Sequence, residues 1–222
     1  MRSRLSLVLF LATSAASASF AAPAQAVNPK LKNPAAFTEQ APATYRARFE
    51  TSQGIFVIEA HREWAPLAAD RFYNLVKNGF YNDARFFRVL SGFMAQFGLN
   101  GDPDVQRAWT NAGLPDEPTR QSNLRGFVSF ARESSPNSRY TMVFINYKDN
   151  SYLDSEGFAP FGQVVAGMDV ADKLYSGYGR TNVPDQRRIT SEGNAYLSAE
   201  YPKLDYIRRA RIEAPSSGRG AP

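Results

Sequence analysis

The chain has 222 residues, is 43% hydrophobic and 13% aromatic, carries a formal charge of +5, and contains one histidine and no cysteine. Without a thiol, disulfides, cysteine nucleophiles and nearly all zinc centres are excluded, and a serine-histidine-acid triad would have to use His61, which stands at a strand end with no nucleophile elbow in the sequence. With Arg2 and Arg4 set aside the charge falls to +3, 24 basic against 21 acidic residues, which is too mild to imply nucleic acid as a partner.

Residues 1–26 read as a signal peptide. Arg2 and Arg4 form a positive head, Leu5 to Ala12 an apolar run too short to span a bilayer, and Ala24-Gln25-Ala26 a small-residue cleavage site. The mature protein is therefore expected to be exported, periplasmic or secreted, with no stable membrane insertion after cleavage; the rival reading is an uncleaved N-terminal anchor. Residues 27–44, rich in Pro, Ala and Asn, read as an extended lead-in. About 170 residues remain for a single domain, 45–213, followed by a tail expected to be disordered, 214–222.

Tyr45, Ala47 and Phe49 alternate with polar neighbours, Ser52-Gln53-Gly54 supplies a turn, and Ile55 to Ala60 is a dense strand run, so a hairpin is expected. Pro66 opens a helix whose apolar positions Ala68, Phe72, Leu75 and Val76 share a face, with Gly79 placed to end it. Strands are expected at 85–89 and 93–97, then a long polar stretch from Leu99 to Arg125. Its carboxylates Asp102, Asp104, Asp116 and Glu117 match neither a helix face nor an EF-hand and read as solvated loop charges. Further strands are expected at 126–131, 141–146 and 158–165, a short helix at 168–175, a Gly-rich charged excursion at 176–194, and a last strand at 206–212. So many strands with two helices point to a mainly β domain, a closed or nearly closed barrel that leaves no exposed edge.

The stretch Phe87 to Gly98, FRVLSGFMAQFG, carries the chemistry. An arginine cannot shed its proton to escape desolvation, so Arg88 among aromatic and thioether neighbours is solvated, paired, or kept to donate hydrogen bonds to a ligand. Alternation puts Phe86, Arg88 and Leu90 on one face, and Met94 with Gln96 on one face after the Ser91-Gly92 break. An apolar slot with two polar heads follows.

With these segments in order, FRVLSGFMAQFG, then GFVSFA, VFIN, YLD and FAPFGQVVAGMDVADKL, the region from Tyr45 to Ile212 resembles the cyclophilin-type peptidyl-prolyl cis-trans isomerases. The resemblance implies an eight-stranded antiparallel barrel capped by two helices, an isomerase that needs no cofactor or metal, and proline-containing polypeptides as partners of a monomeric enzyme acting in the folding of exported proteins. It implies Arg88 and Gln96 as catalytic residues meeting the peptide backbone, and a prolyl pocket walled by Phe93, Met94, Phe144 and Leu153. Tyr152, Phe158 and Met142 extend that set, standing where the commonest members carry tryptophan, histidine and glutamine. Phe87 replaces a histidine, Phe97 a glycine, and Arg132 an asparagine of the pocket rim. These changes keep open an alternative, a non-catalytic proline-peptide-binding module or chaperone on the same fold.

Overall fold

The computed structural model describes residues 28–214, so the expected signal peptide and nearly all of the expected tail lie outside the described residues. Eight antiparallel strands form one curled sheet: β1 Thr44–Thr51, β2 Ile55–His61, β3 Arg88–Leu90, β4 Met94–Phe97, β5 Phe127–Phe130, β6 Val143–Asn146, β7 Pro160–Ala166 and β8 Ile207–Ile212. Their spatial order is β3-β4-β6-β5-β7-β2-β1-β8. The end strands β3 and β8 form no ladder, but the segments leading into them meet at one bridge, Arg85 with Tyr206, flanked by Phe86 N donating to Asp205 O and Ile207 N to Ala84 O, each at 2.9 Å. The expected closed barrel is thus a curled, half-barrel sheet whose ends touch only through that bridge.

Period-two burial explains the hairpin: in β1, Tyr45, Ala47, Phe49 and Thr51 point inward while the residues between them face outward. Phe49 lies opposite Phe56 in the β1–β2 register and their rings stack at 5.1 Å. Phe72, Phe86, Phe97 and Phe161 complete this buried interior. Five of these aromatics close on one another, Phe49 stacked on Phe72 and the other pairs edge to face or tilted, so the barrel is a filled core rather than a channel.

Helix α1, Pro66–Lys77, buries Ala68, Phe72, Leu75 and Val76 as the spacing predicts, and Gly79, at φ 78°, takes the left-handed turn that ends it. Its start holds a correction. Glu117, expected to be solvated, has a side chain only 6% exposed: it accepts from Leu67 N at 2.7 Å and Ala68 N at 3.1 Å, satisfying two free N–H groups of α1, and pairs at 2.9 Å with Arg139, whose side chain is 1% exposed.

The helix count also exceeds two. The long polar stretch contains α2, Pro103–Trp109, capped by Asp102, whose carboxylate accepts from Asp104 N and Val105 N. After α3, Met168–Asp172, the excursion becomes a helical run, α4, Gln186–Glu200, kinked at Gly193. There φ is 60° and an added Cβ would stand 2.1 Å from Gly101 O, so glycine alone fits the crossing with α2. Helix α4 makes a second apolar cluster from Ile189, Tyr196 and Leu197 with Phe87, Leu99 and Leu204. Phe87, 2% exposed, is thus a core residue under α4.

The described part of the lead-in is not extended. It makes two 3-10 turns, Pro29–Lys32 and Pro34–Ala36, and straps α1 to α2: Leu31 is buried, Trp109 Nε1 donates to Leu31 O at 2.7 Å, and Asn74 Nδ2 donates to Glu39 O at 2.7 Å. Among the described residues no helix is long and apolar enough to cross a membrane.

Candidate active site

Strands β3 and β4 pair so that Arg88 stands opposite Gln96 and Leu90 opposite Met94, and all four face away from the barrel interior. Phe86 does not share that face. It is fully buried against Phe56 and Phe97, because residues 86 and 87 precede the regular strand and the alternation begins only at Arg88. Strand β6 lies beside β4 with Phe144 opposite Gln96, so the three strands present Arg88, Gln96, Met94 and Phe144 together.

Above them opens a notch of about 270 Å³. Phe93, Met94, Phe144, Leu153 and Phe158 make its apolar walls, with Arg88, Gln96 and Met142 at one side. Leu90, Met94, Phe144 and Leu153 form a buried cluster beneath, and Phe158 meets Phe144 edge-on at 5.6 Å. Eight of the nine expected site residues, all but Tyr152, therefore line the notch: Gln96, one cation and six apolar or thioether side chains, brought together from β3, β4, β6 and three connections between strands. Tyr152 is the exception to the set. It is 53% exposed and not in the lining, although it lies near enough to Arg88 to favour that side chain's charge.

Arg88 Nη1 donates to Gln96 Oε1 at 3.2 Å, which orients the guanidinium and leaves its other donors free for a guest. Its guanidinium carbon lies 5.9 Å from the centre of the Phe93 ring. Burial lowers the Arg88 pKa, the charge of Arg180 lowers it further, and Tyr152 acts the other way. Gln96 Nε2 faces Met142 Sδ at 3.8 Å, a weak acceptor, so this amide too is poorly satisfied by the protein. Arg132 lines the rim, but its guanidinium is engaged: Nη1 donates to Glu156 O at 2.6 Å and Nη2 lies 3.7 Å from Asp116. It ties two rim loops together.

Sequence reading missed what holds the walls. Asn123, fully buried, donates through Nδ2 to Asp154 Oδ1 at 2.7 Å and to Phe158 O at 2.8 Å, while its Oδ1 accepts from Ser129 Oγ at 2.8 Å. Asn150 Nδ2 donates to Phe93 O at 3.0 Å and to Asn146 Oδ1 at 2.8 Å. These amides fix the Phe93, Leu153 and Phe158 segments from beneath. Sequence reading also missed Gln186, by which α4 reaches the notch, together with Ala131 and Glu133. A larger concavity, about 460 Å³, lies between α1 and β8, but its Lys77 and Arg211 are paired with Glu39 and Glu50 and it has no comparable apolar wall.

Residues 46–193 match the family model described as cyclophilin type peptidyl-prolyl cis-trans isomerase/CLD. A peptidyl-prolyl cis-trans isomerase of Acinetobacter baylyi is 37% identical over 154 residues, covering 65% of this chain and 81% of that protein. Peptidyl-prolyl cis-trans isomerase B of Escherichia coli is 34% identical over 134 residues, covering 57% of this chain and 81% of the relative. Among solved structures, a cyclophilin type isomerase of Cryptosporidium parvum superposes with a TM-score of 0.57 at 20% identity, covering 78% of this chain and 99% of that one. A cyclophilin of Hirschia baltica gives 0.57 at 21% identity, covering 80% and 78%.

Proposed function

The chain belongs to the cyclophilin-type peptidyl-prolyl cis-trans isomerases, and from that premise we propose that Arg88 and Gln96 carry the catalysis over the notch and that the substrates are proline-containing exported proteins. Rotation about an X-Pro bond is slow because amide resonance must be broken, at a barrier of about 18–20 kcal/mol. No covalent bond is made or cut. What the enzyme must do is stabilise the twisted amide more than the planar one.

In this reading the prolyl ring enters between Phe93, Met94, Phe144, Leu153 and Phe158. Once the ring is held, only the preceding chain turns. As the amide twists, its nitrogen becomes pyramidal and gains a lone pair, and the guanidinium of Arg88 donates to it in a half-buried site where such a bond counts for more than in water. Gln96 holds the guanidinium and offers its amide to a substrate carbonyl. Met142 leaves that amide available, because a thioether competes poorly with a carbonyl as acceptor. Moving from tens of seconds to milliseconds requires roughly 5–6 kcal/mol of differential stabilisation, within reach of one charged donor plus positioning.

The observation that carries the assignment is the cross-strand pair Arg88–Gln96 facing an open apolar notch. Isomerisation of a proline peptide by the mature chain, followed by NMR exchange or a protease-coupled assay, tests it. Acceleration by wild type that is lost in Arg88→Ala supports the roles; binding without acceleration selects the proline-peptide-binding alternative. For export, the N-terminal sequence of the protein recovered from a cell expressing the full chain decides: a start at Val27 outside the cytoplasm supports it, and an intact cytoplasmic N-terminus refutes it.

A further inference from the structure

Two guanidinium groups share one ring at the mouth of the notch. The guanidinium carbon of Arg180 lies 5.7 Å from the Phe93 ring centre and that of Arg88 5.9 Å from the same ring. Arg180 comes from the loop between α3 and α4, and it is exposed. Among the described residues neither group has a carboxylate partner, whereas Arg46, Arg62, Arg125, Arg139 and Arg188 each have one. Glu133, the carboxylate in the notch lining, pairs with neither, and Asp185 at the head of α4 is turned to Arg187. With both within 6 Å of one ring centre, the two like charges repel, consistent with the lowered pKa of Arg88 to which Arg180 contributes. An anion that reaches both would relieve that repulsion.

We propose that Arg180 is a specificity-determining residue: with Arg88 it forms a two-guanidinium seat for the carboxylate of an aspartate or glutamate side chain close in sequence to the substrate proline. The proposal rests on the reading of the notch as the prolyl site. Arg88 keeps one donor set for the turning amide and Gln96, and Arg180, free of other partners among the described residues, takes the acidic side chain. Residues 176–194 thus add a substrate contact to the notch as well as a second core beneath it.

The test is a set of proline peptides in matched pairs, glutamate against glutamine, at each of the two positions before and the two after proline. Their kcat/KM values are measured by NMR exchange at low salt with wild type, Arg180→Gln and Arg180→Lys. At one position wild type should favour the glutamate peptide about three- to fivefold, the size of an exposed ion pair. Arg180→Gln should bring that ratio near one and Arg180→Lys should retain part of it. Salt near 1 M, where the screening length is about 3 Å, should also erase it. Glutamine peptides turned over with no glutamate preference at any position, or a preference that survives in Arg180→Gln, would overturn the proposal and leave the isomerase reading standing. No acceleration of any peptide would remove both.

Discussion

Arg88 and Gln96 face each other across the β3–β4 ladder, joined by a 3.2 Å hydrogen bond on the outer face of the barrel, where neither side chain is needed for the core. Because their neighbours there are apolar and the guanidinium retains unused donors, the pair is organised for a guest rather than for stability.

Replacing Arg88 by alanine should therefore separate catalysis from folding. Loss of one preorganised donor to a developing charge costs about 10²- to 10³-fold in rate. We expect a fall of that size in kcat/KM on a proline peptide, with a urea midpoint close to wild type. Gln96→Ala should fall less, since it acts partly by orienting Arg88. An Arg88→Ala protein as fast as wild type would refute the assignment.

Phe87 marks where this chain has invested in a second core. Its ring lies under α4 with Ile189, Tyr196 and Leu197, and Met142 packs against the same cluster while lining the notch. Truncating a buried phenylalanine costs about 3–5 kcal/mol. Phe87→Ala should lose stability on that scale by urea titration, and amide exchange should rise first in residues 186–200, before the barrel strands. Uniform loss of protection would show that α4 and the barrel unfold as one unit.

Much of this was legible in the sequence, and the failures have physical causes. Alternation, together with dense apolar runs where both faces are buried as in β4 and β6, located all eight strands to within a few residues, and it placed Arg88 beside Gln96 because both lie inside regular strand. It misplaced Phe86, which sits before the strand begins, where a period-two count has no meaning. Helix α4 escaped because Gly193 breaks it, so Ile189, Tyr196 and Leu197 do not follow one helical stripe. Glu117 escaped because its partners, Arg139 and the head of α1, are distant in sequence. The amide network of Asn123 and Asn150 left no signal at all, since isolated asparagines in a loop read as turns. Arg180 was visible only as one charge in a charged excursion.

Glu117 holds two structural charges in balance, the buried Arg139 guanidinium and the positive end of α1. Removing one partner of a buried pair leaves the other charge uncompensated, at about 3–5 kcal/mol. Glu117→Gln should lower thermodynamic stability on that scale while leaving the notch chemistry intact in the folded fraction. The double variant Glu117→Gln with Arg139→Met should recover part of the loss. An undiminished urea midpoint in Glu117→Gln would show that the pair contributes nothing.

Stability should fall in alkali, and the sign follows from three buried phenols. Tyr45 donates to Ala69 O at 2.6 Å, Tyr81 to Thr141 O at 3.0 Å and Tyr147 to Ala171 O at 2.5 Å, and burial is the leading cause raising the pKa of each. A group whose folded pKa lies above its unfolded value of about 10 binds more protons in the native state above that pH. Its contribution is therefore complete below pH of about 10 and drains away as pH rises further. Arg71, whose pKa burial lowers, stays charged and does not offset this, because its guanidinium donates to Ala112 O at 2.8 Å and Tyr140 O at 2.9 Å. The urea midpoint should thus be nearly flat from this source between pH 7 and 9 and decline above about 10. Tyrosinate absorbance should lag behind that of free tyrosine until unfolding releases it, and a normal titration of all tyrosines in the folded protein would contradict the buried hydrogen bonds on which the argument stands.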